Sequence, residues 1–296
     1  MAKNYRGRFA PSPTGPLHMG SMLAALGSYL QAKHQNGKWL VRIEDLDPPR
    51  EVEGAAHSIL STLEAYGLFW DETVSYQSQR YALYEDALSS LATKQKLFAC
   101  ECSRKSIKEK ARHGVMGFIY PGTCRDRQLA TSNRAIRLRT EQQTILFNDG
   151  LQGAISQCIR EDIGDIVLKR ADGLYSYQLA VVADDSEQNI TEIVRGVDLL
   201  HNTPVQIYLQ QLLKMNTPSY LHLPLLLDTS KEKLSKQTRA KPVNTNSIEK
   251  TLLTLLELLN QSPPRSLYDE DKTSILNWAI KHWDVSACAR ENIVFK

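Results

Sequence analysis

The sequence predicts an α/β protein organised around a parallel sheet, and two observations support this. Residues 5–10 have the character of a short strand and residues 38–44 that of a buried strand. Between them, apolar residues recur at helical spacing from about residue 18 to residue 35, and Asn36 and Gly37 provide a stop signal. Two strands joined through a helix of this length form a βαβ unit with parallel strands.

The remaining elements extend this pattern. They are predicted as helices at 51–66 and 79–96, short strands at 136–140, 144–147 and 166–169, a strand–helix–strand run at 190–194, 198–214 and 220–227, and helices within 245–296. Asp172-Gly173 indicates a hairpin leading into the next apolar run. We expect four parts: the first half of the sheet domain at 1–97, an insertion at 98–165, the second half at 166–240 and a short helical segment at 241–296.

Composition excludes several broad classes. The 296 residues are 42% hydrophobic and 23% charged, close to an average globular chain rather than a disordered or collagen-like one. No stretch approaches the ~18 uncharged apolar residues that a membrane span needs. The first residues lack the apolar core of a secretory signal. The sequence therefore predicts a cytoplasmic protein, and because no segment resembles an orphan apolar interface, we expect a monomer.

Three of the five cysteines, Cys100, Cys102 and Cys124, fall close together. In a cytosolic chain such clustering favours a metal site over disulfides, and three thiolates favour Zn²⁺, which usually takes four ligands. Reduced structural cysteines without metal are the alternative. Cys158 and Cys288 stand apart and are typical of small buried residues.

Charge is concentrated in residues 101–139, which hold ten Lys or Arg and three acidic residues. That segment carries +7 (10 − 3), and the rest of the chain carries −4 because the total is +3. Such a basic segment on a near-neutral chain indicates an anionic partner such as nucleic acid, or a solvated surface helix.

Two loops could bind phosphate. A Pro/Gly-rich loop at 11–16 leads to His18 and Gly20 at the start of the first helix, where free backbone N–H groups and the helix dipole suit a phosphate. A tight turn with a capping histidine would give the same pattern. In a later polar loop, Lys233 and Lys236 flank Ser235 and could reach two oxygens of one polyphosphate.

Together these loops resemble the HIGH and KMSKS signatures of the class I aminoacyl-tRNA synthetases. The opening RFAPSPTGPLHMG, from Arg8 to Gly20, is similar to the glutamyl/glutaminyl branch. Further matches are RIEDLD at 42–47, YQLAVVADD at 177–185, VRGVD at 194–198 and NTPVQ at 202–206, so the resemblance covers about residues 5–240. Ser21 replaces the last residue of HIGH, and KMSKS reads KLSKQ with both lysines kept.

The resemblance implies a Rossmann-like class I synthetase core with a zinc-bearing insertion, and it implies site residues. Those implied for glutamate are Arg8, Phe9, Ala10, Pro11, Ser12, Glu44, Tyr177 and Arg195. Those implied for ATP are His18, Gly20, Ser21 and Lys236, and the catalytic set is His18, Lys233 and Lys236. Within this scheme Glu44 takes the α-ammonium group, Arg195 binds a carboxylate, and Mg²⁺ accompanies ATP.

The implied zinc ligands are Cys100, Cys102, Tyr120 and Cys124. A phenol is an unusual ligand, because its ordinary pKa is near ~10 and the metal must depress it. His113 or a water molecule are the alternatives for the fourth position. A zinc ion here would be structural, since it would hold together a small insertion.

The segment after the second loop is short, with 59 residues following Gln237 (296 − 237). We expect no anticodon-binding domain there. A glutamate-type core of this kind with a cysteine cluster resembles the family that transfers glutamate to the queuosine base of tRNA(Asp). L-Glutamate, ATP and queuosine-containing tRNA(Asp) are then the implied partners. A compact glutamyl-tRNA synthetase acting on a tRNA 3′ end and a non-catalytic RNA-binding paralogue are the alternatives.

Overall fold

The computed structural model describes residues 5–233 and 241–295 and confirms the α/β class. The helices are α1 (Met19–His34), α2 (Ala55–Ala65), α3 (Tyr81–Thr93), α4 (Arg104–Lys108), α5 (Tyr177–Glu187), α6 (Thr203–Leu213), α7 (Ile248–Leu258) and α8 (Lys272–His282). None of the helices in these two ranges is long and apolar enough to span a membrane.

Short strands connect these helices. They are β1 (Arg6–Phe9), β2 (Lys38–Ile43), β3 (Ser75–Tyr76), β4 (Leu97–Cys100), β5 (His113–Gly114), β6 (Gly117–Phe118), β7 (Ala135–Leu138), β8 (Thr144–Asp149), β9 (Gly153–Cys158), β10 (Val167–Lys169), β11 (Glu192–Gly196), β12 (Ser219–Leu223), β13 (Leu226–Leu227) and β14 (Ile293–Val294).

The predicted parallel sheet is present. β1 pairs in parallel with β2, β2 with β3, and β11 with β12. β1 and β11 lie side by side, and the Thr191 amide donates to the Arg6 carbonyl oxygen (2.9 Å). The lateral order is therefore β3-β2-β1-β11-β12. An open sheet of this type binds ligands beyond the carboxyl ends of its strands.

The first hydrophobic core joins this sheet to α1 and to the two C-terminal helices. Trp39 of β2 is fully buried and stacks on Phe9, with ring centroids 6.2 Å apart. Its Nε1 donates to Ser28 Oγ (2.9 Å). Gly27 lets α1 approach β12, because a Cβ there would lie 2.5 Å from Leu223 Cδ1. α7 and α8 cover the rest of α1, so the helical segment predicted at the C-terminus belongs to this core.

A second core lies among α3, α5 and α6 and extends into the antiparallel strands β7, β8 and β10. β7 pairs with β4 on one side and β10 on the other, and β8 forms a hairpin with β9. Phe98, Cys100, Tyr120 and Cys124 form a third, small cluster of their own. This cluster is too small to hold its surroundings by apolar burial alone.

Several predicted elements are wrong in detail. The apolar run after Asp172-Gly173 is helix α5 rather than a hairpin strand, and the hairpin is reduced to one bridge between Lys169 and Tyr175. The strand predicted at 220–227 is divided into β12 and β13 around Pro224, which has no N–H to donate to a ladder. The C-terminal region contains strand β14 in addition to helices, paired with β13.

Candidate active site

A cavity of about 720 Å³ opens at the carboxyl ends of β1, β2 and β11. This is within the ~300–1,000 Å³ range of small-molecule sites. Every predicted glutamate, ATP and catalytic residue that the structure describes lines it. They are Arg8, Phe9, Ala10, Pro11, Ser12, His18, Gly20, Ser21, Glu44, Tyr177, Arg195 and Lys233. Lys236 lies outside the described residues.

The start of α1 fixes the orientation of His18. His18 is the N-cap residue, and its Nδ1 accepts from the Ser21 amide (3.3 Å) while Ser21 Oγ accepts from the His18 amide (2.8 Å). This reciprocal capping stabilises the helix start. Because Nδ1 is the acceptor, the neutral imidazole carries its proton on Nε2 and can donate it to an anion. His18 can therefore cap the helix and bind a phosphate at the same time.

Glu44 follows β2 directly and is a buried carboxylate with incomplete partners. Its Oε1 is buried and accepts no hydrogen bond from the described residues, and the nearest cation, Arg42 Nη2, is 3.7 Å away. Burial raises the pKa of Glu44 to about 7, although Arg42 and Arg8 oppose the shift. A buried oxygen of this kind is suited to a cationic ligand group such as an ammonium.

Arg8 and Arg42 share a carboxylate behind the cavity. Arg8 Nε lies 3.1 Å from Asp185 Oδ1, and Arg42 Nη2 lies 2.8 Å from the same oxygen. All three side chains are buried. Burial opposes ionisation of Asp185, but the two guanidinium groups hold its pKa below the ordinary value. Asp185 is therefore the anion that the two arginines share, and Asp184 lies 3.6 Å from Arg42 Nε as a second carboxylate.

Arg195 differs from Arg8 because its partners are neutral. Its Nη1 donates to Tyr177 Oη (3.2 Å), its Nη2 donates to Thr203 Oγ1 (2.9 Å), and its Nε donates to His222 Nε2 (3.0 Å). No ion pair involves Arg195 within residues 5–233 and 241–295. Burial raises the pKa of Tyr177, so its phenol stays protonated and can donate to a ligand. Arg195 and Tyr177 together present a positive charge and a hydroxyl at the cavity wall.

Lys233 also lines the cavity, and its ammonium group forms an ion pair with Asp198. Glu232 also lines this part of the site. The structure therefore places the first lysine of the second predicted loop within the same cavity as His18, as the resemblance implies.

The three clustered cysteines converge on Tyr120. Their sulfur atoms lie within 4.8 Å of one another, and Cys102 Sγ is 3.5 Å from Cys124 Sγ. Tyr120 Oη lies 3.4 Å from Cys100 Sγ and 3.6 Å from Cys102 Sγ. For a tetrahedral ion with ~2.3 Å Zn–S bonds, ligand atoms are separated by roughly 3.7 Å. Three sulfurs and one oxygen at these separations form a group that could hold a metal ion.

The alternative ligand His113 is not part of this group. It is exposed on the β5–β6 hairpin and lies against Phe118, with ring centroids 4.3 Å apart. Burial raises the pKa of Tyr120 above its ordinary range. Burial opposes ionisation of Cys124 as well, but hydrogen bonding from Tyr120 and the neighbouring groups lowers its pKa to about 7. One thiolate is therefore readily available to a metal.

The basic segment divides into two halves. The arginines of the second half are engaged within the protein: Arg127 and Arg134 pair with Glu101, Arg139 pairs with Asp126, and Arg125 pairs with Asp165. The basic residues of the first half are exposed and form no ion pair with other described residues. They are Arg104, Lys105, Lys108, Lys110 and Arg112, which we call the α4 basic surface.

Sequence reasoning missed the residues that support the cavity. Asp185 and Arg42 lie inside matched motifs, but nothing in their spacing shows that they form an ion pair. Asp149 and His222 are 73 positions apart, yet Asp149 Oδ2 accepts from His222 Nδ1 (2.6 Å). The one available signal was the position of His222 between Leu221 and Leu223, because a polar residue in an apolar strand needs a buried partner.

The chain is similar to known proteins over most of its length. The family model for class I tRNA synthetases (E and Q), catalytic domain, matches residues 4–272. A protein from Neisseria meningitidis serogroup A, named glutamyl-Q tRNA(Asp) synthetase, is 50% identical over 293 residues, which cover 98% of this chain and 99% of that protein. A protein of the same name from Dechloromonas aromatica is 48% identical over 297 residues, 99% of each chain.

A solved structure gives the same fold. The crystal structure of a glutamate tRNA ligase from Elizabethkingia meningosepticum, in complex with its amino acid, matches with a TM-score of 0.81 and 24% identity. The match covers 99% of this chain and 67% of that one. The expected Rossmann-like class I synthetase core is thereby confirmed.

Proposed function

The chain belongs to the class I tRNA synthetases of glutamyl and glutaminyl type, and from that membership we propose that it activates L-glutamate with ATP and transfers it to the queuosine base of tRNA(Asp). It is an enzyme of the aminoacyl-tRNA ligase type. The observation that carries the proposal is the near-complete alignment, at about half identity, with relatives named for this activity.

The cavity supports the glutamate half of the proposal. Glu44 would accept the α-ammonium group, and Arg195 with the Tyr177 hydroxyl would bind a substrate carboxylate. Arg8 would add a second cation to the pocket, while Phe9, Ala10, Pro11 and Ser12 would form its wall. An amino acid with two carboxylates and one ammonium group matches a site with two arginines and one buried carboxylate.

The ATP half of the proposal rests on the start of α1. His18 would donate from Nε2 to a phosphate oxygen, and Gly20 and Ser21 would let the nucleotide approach the helix. Lys233, together with Lys236, would stabilise the charge that develops as the glutamate carboxylate attacks the α-phosphate and pyrophosphate leaves. Catalysis of this kind depends on positioning and electrostatics. Mg²⁺ would accompany ATP, and we assign no protein ligands to it.

We assign the cysteine cluster to one structural Zn²⁺ held by Cys100, Cys102, Tyr120 and Cys124. The donor set of three sulfurs and one oxygen fits a tetrahedral ion. When bound, the metal would supply cross-linking rather than chemistry. It would hold the segment predicted as an insertion, 98–165, in which the third hydrophobic cluster is small.

We assign the α4 basic surface to the tRNA. Its five side chains are exposed and form no ion pair within the described residues, as a phosphate-binding surface requires. Arg125, Arg127, Arg134 and Arg139 already have carboxylate partners within the protein, so we expect them to contribute less to binding.

The test measures glutamate-dependent ATP–pyrophosphate exchange without tRNA, beside transfer of labelled glutamate to queuosine-containing and queuosine-free tRNA(Asp). We expect exchange, and label on the queuosine-containing tRNA alone. Label on the 3′ end of tRNA(Glu) would contradict the proposal and favour a compact glutamyl-tRNA synthetase. Absence of exchange in folded protein would favour a non-catalytic paralogue.

A further inference from the structure

The carboxylate-binding arginine is held from behind by a buried chain of hydrogen bonds. Asp149 Oδ2 accepts from His222 Nδ1 (2.6 Å), and His222 Nε2 accepts from Arg195 Nε (3.0 Å). Asp149 and His222 are almost completely buried, and Arg195 is 5% exposed. Neither Asp149 nor His222 lines the cavity, so both act on the substrate only through Arg195.

The direction of these bonds defines the state of the imidazole. A guanidinium nitrogen always donates, so His222 Nε2 must be unprotonated, and the remaining proton on Nδ1 points to Asp149. The titratable groups that face His222 are Asp149, Arg195, Asp198 and Tyr220, whose ring lies 6.3 Å away. The neutral Thr203 hydroxyl also lies near Nε2 (3.3 Å) and can only donate to it when the ring is in this state. Burial lowers the pKa of His222, in agreement with a neutral ring.

Asp149 is itself firmly placed. Its Oδ1 accepts from the amides of Leu151 (3.1 Å) and Gln152 (2.9 Å) in the turn between β8 and β9, and from the His222 amide (3.2 Å). Only Oδ2 is left for the imidazole. The Asp149 carboxylate thus fixes the tautomer of His222, and backbone amides hold the carboxylate itself in place.

We propose that His222, held by Asp149, is a positioning residue that orients Arg195 through a neutral acceptor and so leaves its positive charge to a substrate carboxylate. The contrast with Arg8 is the reason for this assignment. Arg8 is held by the Asp185 carboxylate, which offsets its charge, whereas the three contacts of Arg195 described above are all with neutral groups. The inference rests on the proposed function, since it concerns binding of glutamate.

The experiment compares three variants by ATP–pyrophosphate exchange, with separate KM values for glutamate and ATP. His222→Gln places an amide oxygen about where Nε2 lies, so it keeps an acceptor for Arg195. His222→Asn keeps a polar group near Asp149 but loses that acceptor. His222→Glu supplies an acceptor that is charged. We expect the KM for glutamate to change less than about threefold in His222→Gln and to rise about tenfold or more in the other two, with the KM for ATP unchanged.

Equal losses in His222→Gln and His222→Asn, accompanied by equal falls in melting temperature, would show a purely structural role and overturn the inference. Wild-type affinity for glutamate in His222→Glu would overturn the claim that the acceptor must be neutral. If His222→Glu does not fold, the Gln and Asn pair decides alone. Absence of exchange in the wild-type protein would instead overturn the proposed function, and the inference with it.

Discussion

Glu44 and Asp185 are both buried carboxylates at the substrate cavity, but their surroundings differ. Asp185 has two guanidinium partners at hydrogen-bond distance and a lowered pKa, whereas Glu44 has none that close and a pKa raised to about 7. Asp185 therefore organises the site, and Glu44 is left for a ligand. A residue retained at such a cost is expected at a binding site rather than in a structural core.

Replacing Glu44 with Gln should therefore stabilise the protein and inactivate it. Because the folded-state pKa is raised from 4.5 to about 7, ionised Glu44 destabilises the fold once the pH exceeds the unfolded value. The penalty is small at pH 5 and reaches about 3 kcal/mol at pH 8. Urea unfolding at both pH values measures the gain, which should appear at pH 8 and largely vanish at pH 5.

The same variant should lose glutamate-dependent pyrophosphate exchange, because an amide cannot neutralise the α-ammonium group. In the wild-type protein the KM for glutamate should rise as pH falls below about 7, where Glu44 becomes protonated. Full exchange activity in Glu44→Gln would refute the role assigned to this carboxylate.

For individual residues, the sequence predicts the site best where the residues lie in contiguous motifs. The sequence motifs identify the loop from Arg8 to Ser21 and the separate residues Glu44, Tyr177 and Arg195, and all of these segments contribute to one cavity. Asp149 and His222 could not be found in this way, because their pairing depends on β8 and β12 being brought together by the fold.

Among the secondary-structure elements, α1 connects the fold most directly to the chemistry. Its N-terminal cap is formed by the two side chains, His18 and Ser21, that also line the cavity. The hydrogen bond that caps the helix also selects the imidazole tautomer. Stability and catalysis are therefore coupled at this helix end.

His18→Ala should reduce kcat for pyrophosphate exchange about tenfold or more, because the imidazole that would donate to a phosphate oxygen is lost. It should also cost about 1 kcal/mol of stability, because the side chain that caps α1 by accepting from the Ser21 amide is lost. Ser103→Ala is the matched control, since Ser103 Oγ caps α4 in the same way by accepting from Ser106 (3.1 Å). We expect a similar or smaller loss of stability there and unchanged exchange. Equal effects of both variants on pyrophosphate exchange would argue against a role of His18 in the reaction beyond capping the helix.

Removing the metal should affect the region around the cysteine cluster and not the glutamate cavity. The cysteine cluster is separate from the two larger hydrophobic cores, and the glutamate cavity contains none of its residues. Chelation of the metal, or the substitution Cys124→Ser, should abolish transfer of glutamate to tRNA. ATP–pyrophosphate exchange without tRNA should continue. Amide hydrogen–deuterium exchange would check this, because the amides around residues 98–125 should exchange faster after the metal is removed. Unchanged protection after the metal is removed would contradict a structural role.

Element boundaries were predictable where local signals are strong and not where packing decides. Asn36, with φ +50°, and Gly37 follow the end of α1 as predicted. α5 was misread because its apolar residues are buried on nearly all sides, which removes the helical periodicity that identifies a surface helix. β14 is only two residues long and exists through its pairing with β13, which no local signal encodes.

For the whole molecule, we expect the α4 basic surface to affect tRNA binding and not amino-acid activation. The α4 basic surface should bind phosphates, so Lys105→Ala/Lys110→Ala should raise the KM for tRNA several-fold. The salt dependence of binding should weaken by about one unit of slope for each lysine–phosphate ion pair that the substitutions remove. Exchange without tRNA should not change.

The matched control is Lys250→Ala/Lys281→Ala, which removes the same charge from α7 and α8, where both side chains are exposed. This variant should keep the wild-type KM for tRNA. If both double variants weaken tRNA binding equally, net charge rather than a defined surface determines the affinity.

In the proposed reaction, glutamate is attached to a modified base and not to the end of the tRNA. The measurement that tests it most directly uses tRNA(Asp) from which the 3′-terminal adenosine has been removed, prepared with and without queuosine. Labelled glutamate should be transferred to the shortened tRNA that contains queuosine, at the rate seen with the intact molecule, and not to the one that lacks it. Transfer that requires the terminal adenosine, whether or not queuosine is present, would contradict the account.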